Sequence, residues 1–276
     1  MLPSVMNSSP STTRGVRKIE YLSAPARVRM ADHWFEIASL EHFWIRRRFE
    51  VLKFLASNLL STSREMAEIG CGHGLLQRQI EDEYAKPVAG FDLNESALLQ
   101  NVSRSSRVCC YDIFQRLEPL RQRFDVILLF DVLEHIREED DFLDAVCFHL
   151  APSGALILNV PAGQWAYSTY DIAAGHVRRY SIDGLRQAAH HRRLEVACWT
   201  YWGLPLTPVL ALRKLWLLGR KEQSQVISAG FDTRTSFTNR ALGFLSRCER
   251  LPQKRLGSSL LAVLRPRSSL YGETCA

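Results

Sequence analysis

Five short apolar runs constrain the fold more than any other feature: Met66 to Gly70, Pro87 to Asp92, Arg107 to Asp112, Phe124 to Asp131 and Ala155 to Pro161. The first closes on a glycine and the next three on an aspartate. Polar segments with helical patterning begin between them, at Leu75, Glu95 and Glu138. A strand that is apolar on both faces has to be covered on both faces. Alternation with amphipathic helices therefore predicts an α/β fold, a doubly wound and mostly parallel sheet. A helix from Ser181, a strand from Leu194 and a last strand from Ser258 to Pro266 continue the rhythm.

Two stretches break it. Residues 161–180 mix aromatics, glycines and charges without a period, and about 203–250 holds an apolar helix followed by a basic, Ser/Thr-rich stretch. Insertions on a rigid scaffold are where recognition is expected. The 276 residues divide into a disordered leader (1–29), an N-terminal helical cap (30–62), a core (63–200), an inserted basic and apolar segment (201–256), and the last strand with a tail (257–276). The cap rests on a helical stripe that includes Trp34, Phe35, Ile37, Trp44, Phe49 and Leu52.

With 46% hydrophobic and 23% charged residues, the composition excludes a wholly disordered or fibrous chain. Seven scattered cysteines without a CxxC pair suggest neither a structural zinc nor a disulfide framework, and fit a reducing, cytoplasmic setting. The uncharged run from Val196 to Leu212 contains two prolines and is short for a membrane span. Charge is unevenly distributed. Residues through His176 hold 18 Lys/Arg against 23 Asp/Glu, whereas Val177 onward holds 17 against 6. With Trp199, Trp202, Leu210 and Trp216 near Arg213, Lys214, Arg220 and Lys221, the basic part reads as a solvated face, as a peripheral contact with an anionic membrane or lipid-linked substrate, or, third, as an RNA-binding surface. No DNA- or RNA-binding module is evident.

The chemistry concentrates at the strand ends. Glu68-Ile-Gly-Cys-Gly-His-Gly74 follows a strand and opens a helix, so a ligand can approach bare backbone and a helix N-terminus. The spacing matches neither the dinucleotide fingerprint nor a P-loop. A carboxylate at Glu68 suits a cationic ligand. Asp92 closes the second strand where an acid can hold ribose hydroxyls; Asp112 beside Ile113 suits an adenine amino group and ring, and Asp131 closes the fourth strand.

Together with Phe-Asp-Val-Leu-Glu-His (Phe130 to His135), these segments resemble the class I S-adenosylmethionine-dependent methyltransferases. His42 to Leu52 and Asp171 to Tyr180 resemble a bacterial small-molecule branch, similar to the ubiquinone-biosynthesis O-methyltransferases. The resemblance implies a seven-stranded sheet with an antiparallel last strand, and S-adenosyl-L-methionine as cofactor. It implies that Glu68, Gly70 and Gly72 hold the methionine and ribose part, Asp92 and Leu93 the ribose, Asp112 and Ile113 the adenine, and that Asp131 and Val132 line the sulfonium side. His73 departs from the Thr or Ser common in such loops.

Methyl transfer to a hydroxyl or acidic carbon needs alignment and a base. His135 and His176 are the candidates, the alternative being a helix-capping or packing role for His135 and a loop-ordering hydrogen bond for His176. Arg178, Arg179 and Tyr180 either bind an acidic substrate group or order the loop, while Trp44 and Tyr167 are candidate pocket walls. The primary reading is a methyltransferase acting on a small or lipid-linked metabolite, preferably on oxygen, with no metal. The alternatives are a metal-assisted RNA methyltransferase using Asp131, Glu134, His135 and His176, and a non-catalytic cofactor-binding subunit.

Overall fold

A computed structural model describes residues 18–26, 38–216 and 236–267. Its sheet has strands β1 (Glu20–Tyr21), β2 (Met66–Ile69), β3 (Ala89–Asp92), β4 (Val108–Cys110), β5 (Phe124–Phe130), β6 (Leu150–Pro161), β7 (Leu194–Trp202) and β8 (Ser259–Pro266). Their spatial order is β1-β4-β3-β2-β5-β6-β8-β7. Every pairing is parallel except those of β8, which runs antiparallel to both β6 and β7.

Strand β5 accounts for the layering. Val126, Leu128 and Phe130 point to one face and Ile127 and Leu129 to the other, and all five are buried. The first face packs under α1 (Phe43–Thr62) and α2 (Leu75–Tyr84) through Phe49, Leu52, Leu76 and Ile80. The second packs under α4 (Glu139–His149) and α6 (Ile182–His190) through Phe142, Val146 and Leu185. A short α3 (Glu95–Leu99) follows β3, and α5 (Thr169–Ala174) lies in the predicted 161–180 insertion. The second insertion supplies α7 (Thr207–Trp216) and α8 (Ser236–Arg247). No helix among the described residues is long and apolar enough to cross a membrane.

Three expectations need correction. The sheet has eight strands, the extra one being the two-residue β1 on the edge beside β4. That strand falls inside the stretch assigned to a disordered leader, and residues 22–26 continue along the strand ends: Leu22 N–H donates to the Cys110 carbonyl and Ala26 N–H to that of Leu93. The N-terminal helix starts at Phe43, where the His42 side chain caps the Trp44 N–H; Trp34, Phe35 and Ile37 lie outside the described residues.

The second insertion is fastened to α1 by polar contacts. Asn239 accepts from Phe43 N–H at 2.8 Å and donates to the Glu41 carbonyl at 2.8 Å. Glu249 accepts from the Gly203 and Leu204 N–H groups and from Arg47, itself buried, at 3.0 Å. Removing Glu249 takes the acceptor from two backbone N–H groups and leaves buried Arg47, among the described residues, with only Glu50, which is partly exposed. Glu249→Ala is therefore expected to lower stability by about 3 kcal/mol in urea unfolding, whereas Glu41→Ala, on an exposed pair, is expected to change it little.

Candidate active site

Strands β3 and β4 lie on one side of β2 and β5 on the other, so the chain reverses direction across the sheet between β2 and β5. In open α/β sheets ligands bind in the crevice at the carboxyl ends of such strands. A cleft opens there, of about 890 Å³ with its solvent mouth included.

The glycine loop after β2 forms its floor. Gly70 has φ +75°, and a Cβ there would meet Val132 Cγ2 at 2.5 Å, so this position tolerates only glycine. Asp92 ties the loop to the end of β3: one oxygen accepts from Gly72 N–H and the other from Asn94 N–H, both at 2.8 Å. Burial raises its pKa. Behind the loop sits Glu68, buried, with Oε2 lacking a hydrogen-bond partner among the described residues. Burial pushes its carboxyl up to about 8, the nearby Asp92 charge adds to the rise, and Arg48 counteracts it.

The opposite wall centres on Asp131, which follows β5 in the left-handed region at φ +59°. Its carboxylate accepts from Arg48 at 2.6 Å and from Asn159 Nδ2 at 2.7 Å, and Asn159 Oδ1 in turn accepts from Trp202 Nε1 at 2.8 Å. Arg48 also lies over the Phe130 ring. Sequence reasoning missed Arg48 because it sits in a run of three arginines; only its place on the buried face of an apolar helix distinguishes it from exposed Arg46.

Of the predicted residues, Glu68, Gly70, Gly72, Asp92, Asp131, Val132 and His135 line the cleft. Others lie elsewhere. Ile113 is packed in the core, Asp112 caps the Phe114 N–H while its own N–H donates to Ser23, and Leu93 meets Ala26 through its carbonyl. Trp44 stacks on Trp202 with ring centroids 4.4 Å apart, away from the cleft lining.

The four candidate substrate residues of the 161–180 loop are occupied in holding the loop together. Arg178 pairs with Glu139 and donates to the Ile136 and Arg137 carbonyls. Arg179 donates to Asp171 at 2.8 Å and to the Ala162 carbonyl. Tyr180 donates to the Leu133 carbonyl and Tyr167 to that of His176. Of the two roles considered for Arg178, Arg179 and Tyr180, the geometry corresponds to ordering the loop. Its centre is Asp171, a fully buried carboxylate that sequence reasoning did not single out. Burial raises its pKa, but His176 and Arg179 outweigh that and hold it at about 2.

That loop brings His176 against His135, with ring centroids 4.9 Å apart. Burial, reinforced by His176, pushes His135 down to about 4, so its ring is neutral at physiological pH. Its Nδ1 is buried without a partner among the described residues. Asp171 accepts from His176 Nδ1 at 3.0 Å, which turns Nε2 toward Glu134, 4.0 Å away. Ligand-type atoms of Glu134, His135 and His176 all lie within 4.8 Å of one another.

Comparison with known proteins agrees with this geometry. Residues 40–198 match the family described as Methyltransferase domain. A Mycolicibacterium smegmatis protein described as a probable S-adenosylmethionine-dependent methyltransferase is 30% identical over 123 residues, 44% of this chain and 46% of its own. A ubiquinone biosynthesis O-methyltransferase of Nitrobacter winogradskyi is 28% identical over 187 residues, 63% of this chain and 64% of its own. The chain thus spans about half the length of the first of these relatives. Among solved structures, the plantazolicin methyltransferase BamL, crystallised with a substrate analogue and S-adenosylhomocysteine, superposes with a TM-score of 0.51 at 11% identity over 85% of this chain and 88% of its own. At that identity the likeness is one of fold.

The raised Glu68 pKa carries a sign. A carboxyl whose folded pKa lies above its unfolded value near 4.5 holds its proton more tightly in the native state. Its contribution therefore turns unfavourable as pH rises from there toward 8. Glu68→Gln is expected to melt above the wild type at alkaline pH, with the gap closing toward pH 5, in thermal unfolding without ligand.

Proposed function

On the premise that this chain belongs to the S-adenosylmethionine-dependent methyltransferases, we propose that it transfers a methyl group from S-adenosylmethionine to a hydroxyl of a small or lipid-linked metabolite. The observation that carries the reading is the cleft itself, a glycine cradle between Glu68 and Asp92 at the switch point of the sheet. The partnerless Glu68 Oε2 fits an ammonium group, and the Gly70 conformation fits a ligand pressed against backbone. Asp92 has lone pairs left after its two backbone bonds to accept from ribose hydroxyls. Arg48 sits beside Asp131 as a cationic counterpart for a carboxylate. The cofactor supplies an already activated, electrophilic methyl.

The protein's remaining task is to align the acceptor and take its proton. His135 is suited to this by position on the cleft wall and by its neutral ring. His176, oriented by Asp171, stands behind it as a positioning partner. Preference for oxygen draws on the relatives named as ubiquinone biosynthesis O-methyltransferases. The lipid-linked option draws on the same names and on the basic last third of the chain.

The convergence of Glu134, His135 and His176 favours a second reading, in which these three hold a divalent cation. Mixed carboxylate and imidazole donors fit Mg²⁺ or Mn²⁺, the buried partnerless atoms Glu134 Oε2 and His135 Nδ1 fit a missing ligand, and Asp171 would orient His176 from its far nitrogen. Such an ion would polarise an acceptor oxygen.

Calorimetric titration tests the first reading. S-adenosylmethionine and S-adenosylhomocysteine are expected to bind, and Asp92→Ala to weaken both by at least about tenfold, roughly 1.4 kcal/mol. Absence of binding to either ligand would remove the proposal. Chelation separates the two readings: turnover on a catechol or other phenolic acceptor is expected to survive EDTA. Loss of activity with restoration by Mg²⁺ or Mn²⁺ would assign the cluster to metal instead. His135→Ala is expected to reduce turnover by about a hundredfold or more with cofactor affinity retained.

A further inference from the structure

The second insertion leaves part of its apolar surface outside. Within α8, the positions turned toward the protein combine small and polar residues with two half-buried leucines, Leu242 and Leu245. Asn239 is hydrogen-bonded to the start of α1, and Gly243, facing Phe43, and Ser246 are buried. The positions turned to solvent follow helical spacing as Phe237, Arg240, Ala241 and Phe244, all exposed. Phe237 and Phe244 are 80% and 74% exposed, the two highest values among large apolar side chains of the described residues. Nearby α7, which packs on the same 204–206 turn as α8, exposes Leu212 by 68% and also presents Val209. Apolar exposure this concentrated marks an interaction surface.

Charge selects the partner. Residues 203–258 carry ten Lys/Arg against three Asp/Glu. Of the three acids, Glu249 is turned inward onto Arg47 and two backbone N–H groups. Arg240, Arg250 and Arg255 are exposed on or just beyond α8, whereas Lys254 is turned onto the Trp199 carbonyl and ring. Aromatic side chains interleaved with and flanked by arginines suit insertion between lipid headgroups, with guanidinium groups at phosphate level. A protein partner would have to be both apolar and strongly acidic.

We propose that α7 and α8 form a peripheral docking face for anionic lipid bilayers, with Phe237 and Phe244 inserting and Arg240 and its neighbours meeting the headgroups. The assignment goes beyond the proposed methyl transfer and does not depend on which acceptor is used. A bilayer-bound enzyme would draw on acceptors held in that bilayer.

Cosedimentation of the full chain with phosphatidylcholine vesicles, with and without phosphatidylglycerol, tests this. Binding is expected only to the anionic vesicles and is expected to weaken as salt rises. The double variant Phe237→Ser, Phe244→Ser is expected to lose binding by roughly tenfold or more, with unchanged melting temperature and S-adenosylmethionine affinity. Arg240→Glu, which leaves the aromatics in place, is expected to weaken binding in the same direction. No binding to anionic vesicles, or equal binding by the double variant, overturns the proposal. So does a wild type that is dimeric in solution, fails to bind vesicles and becomes monomeric in the variant, since the face would then belong to a second copy. A marked fall in the variant's melting temperature without vesicle binding by the wild type assigns the face to another segment of this chain. Cofactor titration on the same samples keeps failure of docking distinct from failure of the methyltransferase reading.

Discussion

One half-buried carboxylate joins the elements that make the cleft. Asp131 follows β5 in a left-handed conformation and receives Arg48 from α1 and Asn159 from β6; Asn159 is held in turn by Trp202 of β7. A charge drawn out of water has to be met by opposite charge and hydrogen bonds, or it costs several kcal/mol. The chain meets it with groups from two other elements, one of them held by a third, so their relative positions are fixed by electrostatics as well as by packing. Arg48 also lies near Glu68 across the floor of the cleft, so the two acids share one cation. Burial is what keeps the Glu68 proton on to about pH 8, with Arg48 acting against it.

The 161–180 loop follows the same logic at a second carboxylate. Asp171 gathers Ser168, His176 and Arg179 around itself, and the loop is thereby ordered against the end of β5. What this achieves is the placement of His176 beside His135 and Glu134. The arrangement serves proton transfer and metal ligation equally well in geometric terms. The two chemistries differ in what fills the space between the rings.

Much of this was legible in the sequence, for identifiable reasons. Strands buried on both faces leave uninterrupted apolar runs, and the residues that end them face the ligand crevice, so β2, β3, β5 and the glycine loop were readable along with Glu68, Asp92, Asp131 and His135. The antiparallel last strand came from the resemblance to a known family. Other features left no such trace. Two residues suffice for the edge strand β1, too few to carry a period. Arg48 breaks the rule that charged residues face water, and nothing in the run Arg46 to Arg48 marks that it and Arg47 turn inward while Arg46 does not. Arg178, Arg179 and Tyr180 had the composition of an anion site, but their partners, Glu139, Asp171 and the Leu133 carbonyl, lie across the fold and become visible only once the chain is closed. Which residues of α8 turn inward is likewise set partly by what the start of α1 offers Asn239, the Phe43 N–H and the Glu41 carbonyl, and not by its apolar pattern alone.

The attachment of the second insertion to α1 has a thermodynamic consequence. Asn239 and Glu249 grip the helix that carries Arg48, so the insertion and the cleft share a rigid element. If an event at the outer face of α8 shifts α1 even slightly, it alters how well Arg48 serves the cleft. Reciprocity then requires that filling the cleft alter the affinity of the outer face by the same factor. Membrane attachment and cofactor occupancy would in that case be two readings of a single equilibrium.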